Sequence, residues 1–202
     1  MEPWIKLTFC HFNDFRTLVE KFEKDANIIH VKMGQRNETI LHRAALNRRI
    51  EMVEFLLEHN VSQIEDGNGN FPLHCAALGG DRMIAQKLID AGADLEASNN
   101  DHDKPLHLAA TVGNLDVVCT LLDAGADIQG RGWMKNTALH CAAEAAHVEV
   151  MEELVNRGQA VDVTNAKGEQ PAHLAAAIEG KGNCIEHLEF LLEKGVNIKK
   201  ER

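Results

Sequence analysis

No two cysteines in this chain are spaced as CxxC, and the five present (Cys10, Cys75, Cys119, Cys141, Cys184) form no dense framework. That argues against a disulfide scaffold or a thiolate zinc site and fits reduced intracellular thiols packed as small hydrophobes. The N-terminus MEPWIKLTFCHF carries Glu2 where a secretion signal needs a cation, and Lys6, Thr8 and His11 break its apolar stretch. No run approaches the ~18 apolar residues of a membrane helix. Basic groups are in deficit: 21 Lys+Arg against 31 Asp+Glu give a formal charge of -10. The densest cationic cluster, Lys199, Lys200 and Arg202, sits at the very end, so a nucleic-acid backbone is not an expected partner. Missing too are a phosphate loop between a strand and a helix, a Ser-His-Asp set and a paired-carboxylate site.

What the chain has is a period. His42, His74, His107, His140 and His173 fall 32, 33, 33 and 33 positions apart, in the phrases TILHRAA, FPLHCAA, KPLHLAA, TALHCAA and QPAHLAA. A fixed period near 33 denotes one supersecondary unit copied along the chain, which predicts a stacked solenoid and no single enclosed pocket. In the third copy Pro105 suits a first helical position, and Leu106, Ala109 and Ala110 share a helical face whose alanines admit a close neighbour. Leu115, Val118, Leu121 and Leu122 form a second amphipathic helix, ended by Gly125. Asn60, Gly92, Gly158 and Gly195 occupy the same terminating position elsewhere. Ten to fifteen mostly polar residues then lead to the next copy, suited to a projecting hairpin.

These phrases resemble the ankyrin repeat family, whose TPLHxAA motif and terminal GAD appear here as PLHLAA with Gly125 to Asp127 and PLHCAA with Gly92 to Asp94. The resemblance implies an all-α solenoid of helix-turn-helix units with short β-hairpin fingers. Five repeats are expected at about 34–66, 67–98, 99–129, 130–165 and 166–198, followed by a charged tail at 199–202. Residues 1–33 read as a degenerate capping repeat, with a short helix from Trp4 to Cys10 and a second whose apolar face is Phe15, Leu18, Val19 and Phe22. The copies also depart from the pattern. The motif threonine survives at Thr39 and Thr137 but is Phe71, Lys104 and Gln170 elsewhere, which predicts loss of a hydroxyl cap in three repeats. The fourth finger reads GRGWMKN, and the fifth repeat carries four extra residues around EGKGNCIE.

Chemistry is hard to build on this frame. Helices of a stack sit roughly 8–10 Å apart, whereas ligands of one zinc lie about 2 Å from it, so the histidines should not converge. In the family this histidine hydrogen-bonds within the turn at the helix start. His74 with Cys75 and His140 with Cys141 are adjacent on a helix and diverge by about 100°, a poor nucleophile and base pair. Neither catalysis, a metal nor a cofactor is expected.

The resemblance points instead to the variable concave surface, built of fingertips and outward positions of the first helices. Here that surface holds Leu46, Leu78, Asn100, Asp101, Asp103, Val112, Trp133, Met134, Asn136, Glu144 and Ile178. An apolar centre ringed by Asn and acids has the make-up of a protein interface, and Trp133 is its expected anchor. The expected partner is a protein or peptide with basic groups, bound by a chain that is monomeric on its own and cytoplasmic or nuclear. Trp133 and Met134 folding back over their own finger is the competing reading. A free-standing adaptor and an ankyrin domain of a larger enzyme, kinase or channel are the two functional expectations. The ending GVNIKKER, directly after Leu191 and Leu192 with no further capping repeat, favours the second.

Overall fold

The computed structural model describes residues 15–177. Among them α1 (Phe15–Phe22) and a 3-10 turn (Ala26–His30) precede four complete helix pairs. These are α2 (Ile40–Leu46) with α3 (Ile50–Glu58), α4 (Pro72–Gly79) with α5 (Arg82–Asp90), α6 (Pro105–Thr111) with α7 (Leu115–Asp123), and α8 (Ala138–Ala145) with α9 (Val148–Asn156). A fifth unit opens with α10 (Pro171–Ala176). The expected helix from Trp4 to Cys10, the insertion around EGKGNCIE and Gly195 lie outside the described residues.

Each inner helix packs against the inner helix of the next unit, and α3, α5, α7 and α9 form an outer row. The alanine pairs 44/45, 76/77, 109/110 and 142/143 are fully buried between inner helices, where only a methyl group allows so close an approach. Leu41, Leu73, Leu106 and Leu139, one residue before each motif histidine, are buried beside them. On the outer row, Leu56, Leu88, Leu121 and Leu154 complete the core. At the N-terminal end Leu18 is buried, and the rings of Phe15 and Phe22 meet Phe55 of α3 edge-on at 5.6 and 5.2 Å. These rings pack edge-to-face on the outer helix of the first pair.

Glycine and its substitutes end the outer helices as expected, with Asn60, Gly92, Gly125 and Gly158 all at positive φ. A second left-handed position, between the helices of each pair, was not anticipated for all units: it falls on Arg48, Gly80, Gly113 and Ala146. Ala146, at φ 67, meets the Cβ penalty of that region without a polar side chain to offset it. Ala146→Gly is therefore expected to raise stability by about 0.5–1 kcal/mol, seen as a later guanidinium midpoint with unchanged slope; an earlier midpoint refutes it.

The fingers differ from the expected β-hairpins. Among the described residues one isolated antiparallel bridge, Met33 to Glu38, is the nearest approach to a strand pair. The later fingers are tight turns closed by bonds within four or five residues, such as Asp66 N–H to Asn70 O at 2.8 Å with Gly69 N–H to Asp66 O at 3.0 Å, and Asn99 N–H to Asp103 O at 3.0 Å with His102 N–H to Asn99 O at 2.9 Å. The cause is local: Oδ1 of Asp66 accepts from the N–H groups of Asn68 and Asn70, and Asn99 and Asn165 do the same in their own fingers. A side chain thus takes the donors that a strand partner needs.

Candidate binding surface

The repeated histidines form joints between units. In every repeat Nδ1 accepts the backbone N–H three residues upstream: from Thr39, Phe71, Lys104, Thr137 and Gln170, at 2.9–3.3 Å. With Nδ1 committed as acceptor, the proton of a neutral ring sits on Nε2. Nε2 then donates to the following unit: His42 to Asn70 O at 2.8 Å, His74 to Asp103 O and His140 to Glu169 O at 3.0 Å. His107 divides its proton between Gly130 O and Asn136 O, each at 3.2 Å. The hydroxyl cap expected to be lost at Phe71, Lys104 and Gln170 has no side-chain replacement there; what imidazole holds in all five repeats is the N–H of the cap residue itself, and Thr39 and Thr137 add a hydroxyl 2.8 and 2.9 Å from the same nitrogen.

Burial lowers the pKa of His42, His74 and His107, and that of His140 to about 4, where Arg131 adds a repulsive charge. It also pushes the thiols of Cys75 and Cys141 up to about 12. With both nitrogens of His74 and His140 engaged and the neighbouring thiols held neutral, neither His-Cys pair can act as base and nucleophile. Among the described residues no three His, Cys, Asp or Glu side chains group as metal ligands.

The fingers are also stitched to one another. Gly67 N–H donates to Arg36 O at 2.5 Å, Asn100 N–H to Asn68 O at 2.9 Å, and Ala166 N–H to Met134 O at 2.7 Å. The step into the fourth finger is different: Trp133 N–H donates to the Asp103 carboxylate, Oδ1, at 2.9 Å. Its origin lies in positions 66, 99, 132 and 165, which read Asp, Asn, Gly, Asn. Gly132 brings no side-chain oxygen to hold the turn, and a Cβ there would collide with Asp103 Oδ1 and lie 2.9 Å from the His107 ring. Lacking that internal cap, the finger takes two successive left-handed residues, Met134 at φ 52 and Lys135 at φ 58. Arg131 steadies it from outside, donating to Lys135 O and Thr164 O at 2.9 Å each.

The sequence-predicted surface residues divide accordingly. Trp133 is 53% exposed, Leu78 38%, Val112 40% and Leu46 45%. Asn100, Asp101 and Glu144 are also exposed, and Met134 is half-buried. Asp103 is half-buried and doubles as a structural joint, accepting from Trp133 and, through its carbonyl, from His74. Asn136 requires a correction: expected on the surface, it is buried, with Oδ1 accepting from Asn165 Nδ2 at 3.0 Å and its carbonyl accepting from His107. Ile178 lies outside the described residues. Sequence reasoning missed the structural use of Asp103 and Gly132, although the lone glycine in the series 66, 99, 132, 165 was the signal.

The family profile of ankyrin repeats matches in three copies, at residues 8–99, 60–132 and 129–202. The chain is similar to diacylglycerol kinase zeta of Rattus norvegicus, 33% identical over 94 residues, covering 45% of this chain and 10% of that protein. It is also similar to a transient receptor potential cation channel subfamily A member 1 homolog of Caenorhabditis elegans, 33% identical over 90 residues, 44% of this chain and 7% of the channel. Human diacylglycerol kinase iota is 30% identical over 91 residues, 43% of this chain and 8% of the kinase. The matched segments span a tenth or less of these relatives. No helix among the described residues is long and apolar enough to cross a membrane.

Proposed function

This chain belongs to the ankyrin repeat family, a non-catalytic interaction fold, and on that premise we propose that it holds a protein or peptide partner on its concave face, through fingertips and first helices. The division into a capping unit and five repeats belongs to the same reading, as does a monomeric chain working in the cytoplasm. One observation carries it above the others: Trp133 keeps 53% of its surface in water, on a finger whose backbone is built differently from its neighbours. An indole folded back over its own finger would be largely covered. Large apolar groups left in water, Trp133 together with Leu78 and Val112, favour a partner that covers them. Exposed Asp101 and Glu144, expected on the same face, favour basic groups on that partner.

Trp133→Ala combined with Met134→Ala is expected to weaken capture of the partner from cell lysate by about 2 kcal/mol, some thirtyfold. Thermal unfolding of the double variant should change little, because neither side chain belongs to the buried core. Early unfolding with binding intact would assign the pair a structural role and defeat the proposal. A second reading, that these repeats regulate or target a larger enzyme, kinase or channel, is supported by the relatives, in which the similar segment is a small part of a kinase or a channel.

A further inference from the structure

The second, third and fifth fingers share one plan, and the fourth breaks it. In the three regular fingers the first residue (Asp66, Asn99, Asn165) accepts at Oδ1 from the N–H groups two and four positions on. Within each of them the left-handed residue is the fourth: Gly69, His102 and Gly168. The second residue of the third and fifth fingers donates its N–H to the carbonyl of the third residue in the finger before, Asn100 to Asn68 O and Ala166 to Met134 O. Asn99 and Asn165 tighten the same two steps, donating from Nδ2 to Oδ1 of Asn70 and Asn136 at 3.0 Å.

On this register the Trp133 N–H would meet Asp101 O, and a side chain at 132 would reach Asp103. Gly132 has nothing to reach with, and the Asp103 carboxylate fills the space that a Cβ there would need. The Trp133 N–H turns to that carboxylate instead, at 2.9 Å from Oδ1. A left-handed residue is then added at the third position, Met134 at φ 52, a conformation unfavourable to any residue with a Cβ. The base of the finger is nevertheless held on both sides, because Gly130 O and Asn136 O both accept from His107. The departure is confined to the tip that carries the exposed indole. Strain sustained at one exposed tip, while three sister fingers show the relaxed alternative, points to use and not to stability.

Building on the concave-face reading above, we infer that Gly132 and Asp103 determine the specificity of that face: together they hold the fourth finger out of the common register and fix where Trp133 is offered to a protein partner. Asp103 is a positioning residue, acting through the Trp133 N–H, and Gly132 leaves its carboxylate room to do so. The bonds of Asp103 to His74 and Asn99 run through its backbone and survive replacement of the side chain.

Asp103→Ala, Asp103→Asn and Gly132→Asn in the full chain test this, each with Trp4→Phe so that Trp133 is the remaining indole. Asp103→Ala removes the acceptor, so the fluorescence anisotropy of Trp133 should fall; Asp103→Asn keeps an oxygen in place and should restore it. Proteins that the wild-type chain captures from cell lysate, and that the Trp133→Ala and Met134→Ala double variant loses, should drop about tenfold with Asp103→Ala and with Gly132→Asn, and persist with Asp103→Asn. Gly132→Asn should at the same time move the guanidinium midpoint later, because Asn supplies the missing cap and can reach Asp103 as Asn99 reaches Asn70. A gain in stability with a loss of capture is a pattern that a purely structural role does not give. An earlier midpoint for Gly132→Asn, capture unchanged by it, anisotropy unmoved by Asp103→Ala, or no rescue by Asp103→Asn overturns the inference. Capture that still needs Trp133 and Met134 in any of those cases leaves the concave-face reading intact; capture indifferent to every one of these substitutions overturns both.

Discussion

Acidification from pH 7 to about 4 is expected to unfold this stack progressively, starting once the pH falls below about 6.5. Four motif histidines are buried with a neutral ring that accepts at Nδ1 and donates at Nε2, and a second proton has no place in that arrangement. Their pKa values in the folded chain lie below the ordinary 6.5, so the unfolded chain binds the proton first. Stability from these groups is complete above about 6.5 and drains away as the pH falls toward each folded value. For His140 the window extends down to about 4 and amounts to roughly 3 kcal/mol. His42, His74 and His107 add in the same direction. The nearby carboxylates Asp66 and Asp103 partly oppose the shift at the first three, whereas Arg131 deepens it at His140. Guanidinium melts at pH 7, 6, 5 and 4 measure the effect, and a midpoint that stays level from 7 to 5 contradicts it.

His140→Ala should cost about 3 kcal/mol at neutral pH and act unevenly along the chain. The substitution removes the acceptor for Thr137 N–H and the donor to Glu169 O, and it opens a cavity at a fully buried position. Units of a stack contact only their neighbours, so damage at one joint is felt first on its outboard side. Amide hydrogen exchange should accelerate across residues 165–177 while α2 to α5 keep their protection. Uniform acceleration over all helices, or none, contradicts this picture of local joints. His74→Ala, between the second and third units, should instead loosen the N-terminal and central units together, because it lies inside the row.

Much of this architecture was legible in the residues because each unit is built from short-range signals. Proline at a first helical turn, paired alanines, leucines at helical spacing and a glycine stop act within about fifteen residues, and repetition at a period near 33 multiplies their weight. The positive φ at Asn60, Gly92, Gly125 and Gly158 follows from the same local logic. Less legible were effects that pass from one unit to the next. His107 looks like a residue of its own helix turn, yet half of its bonding reaches Gly130 and Asn136, 23 and 29 residues away. Asn136 looks like a polar fingertip residue, and its burial becomes apparent only when Asn165 is stacked on it.

From its order of residues alone, the chain already determined the helix pairs and the residues that end the outer helices, since each depends on propensity and spacing within a single unit. Tertiary structure decided which polar groups became joints and which remained in water. A carboxylate such as Asp103 and one such as Asp101 are two residues apart and chemically alike; the first meets the Trp133 N–H and the second stays exposed. That difference arises from the placement of the neighbouring unit about one helix diameter away, a distance that no local pattern encodes.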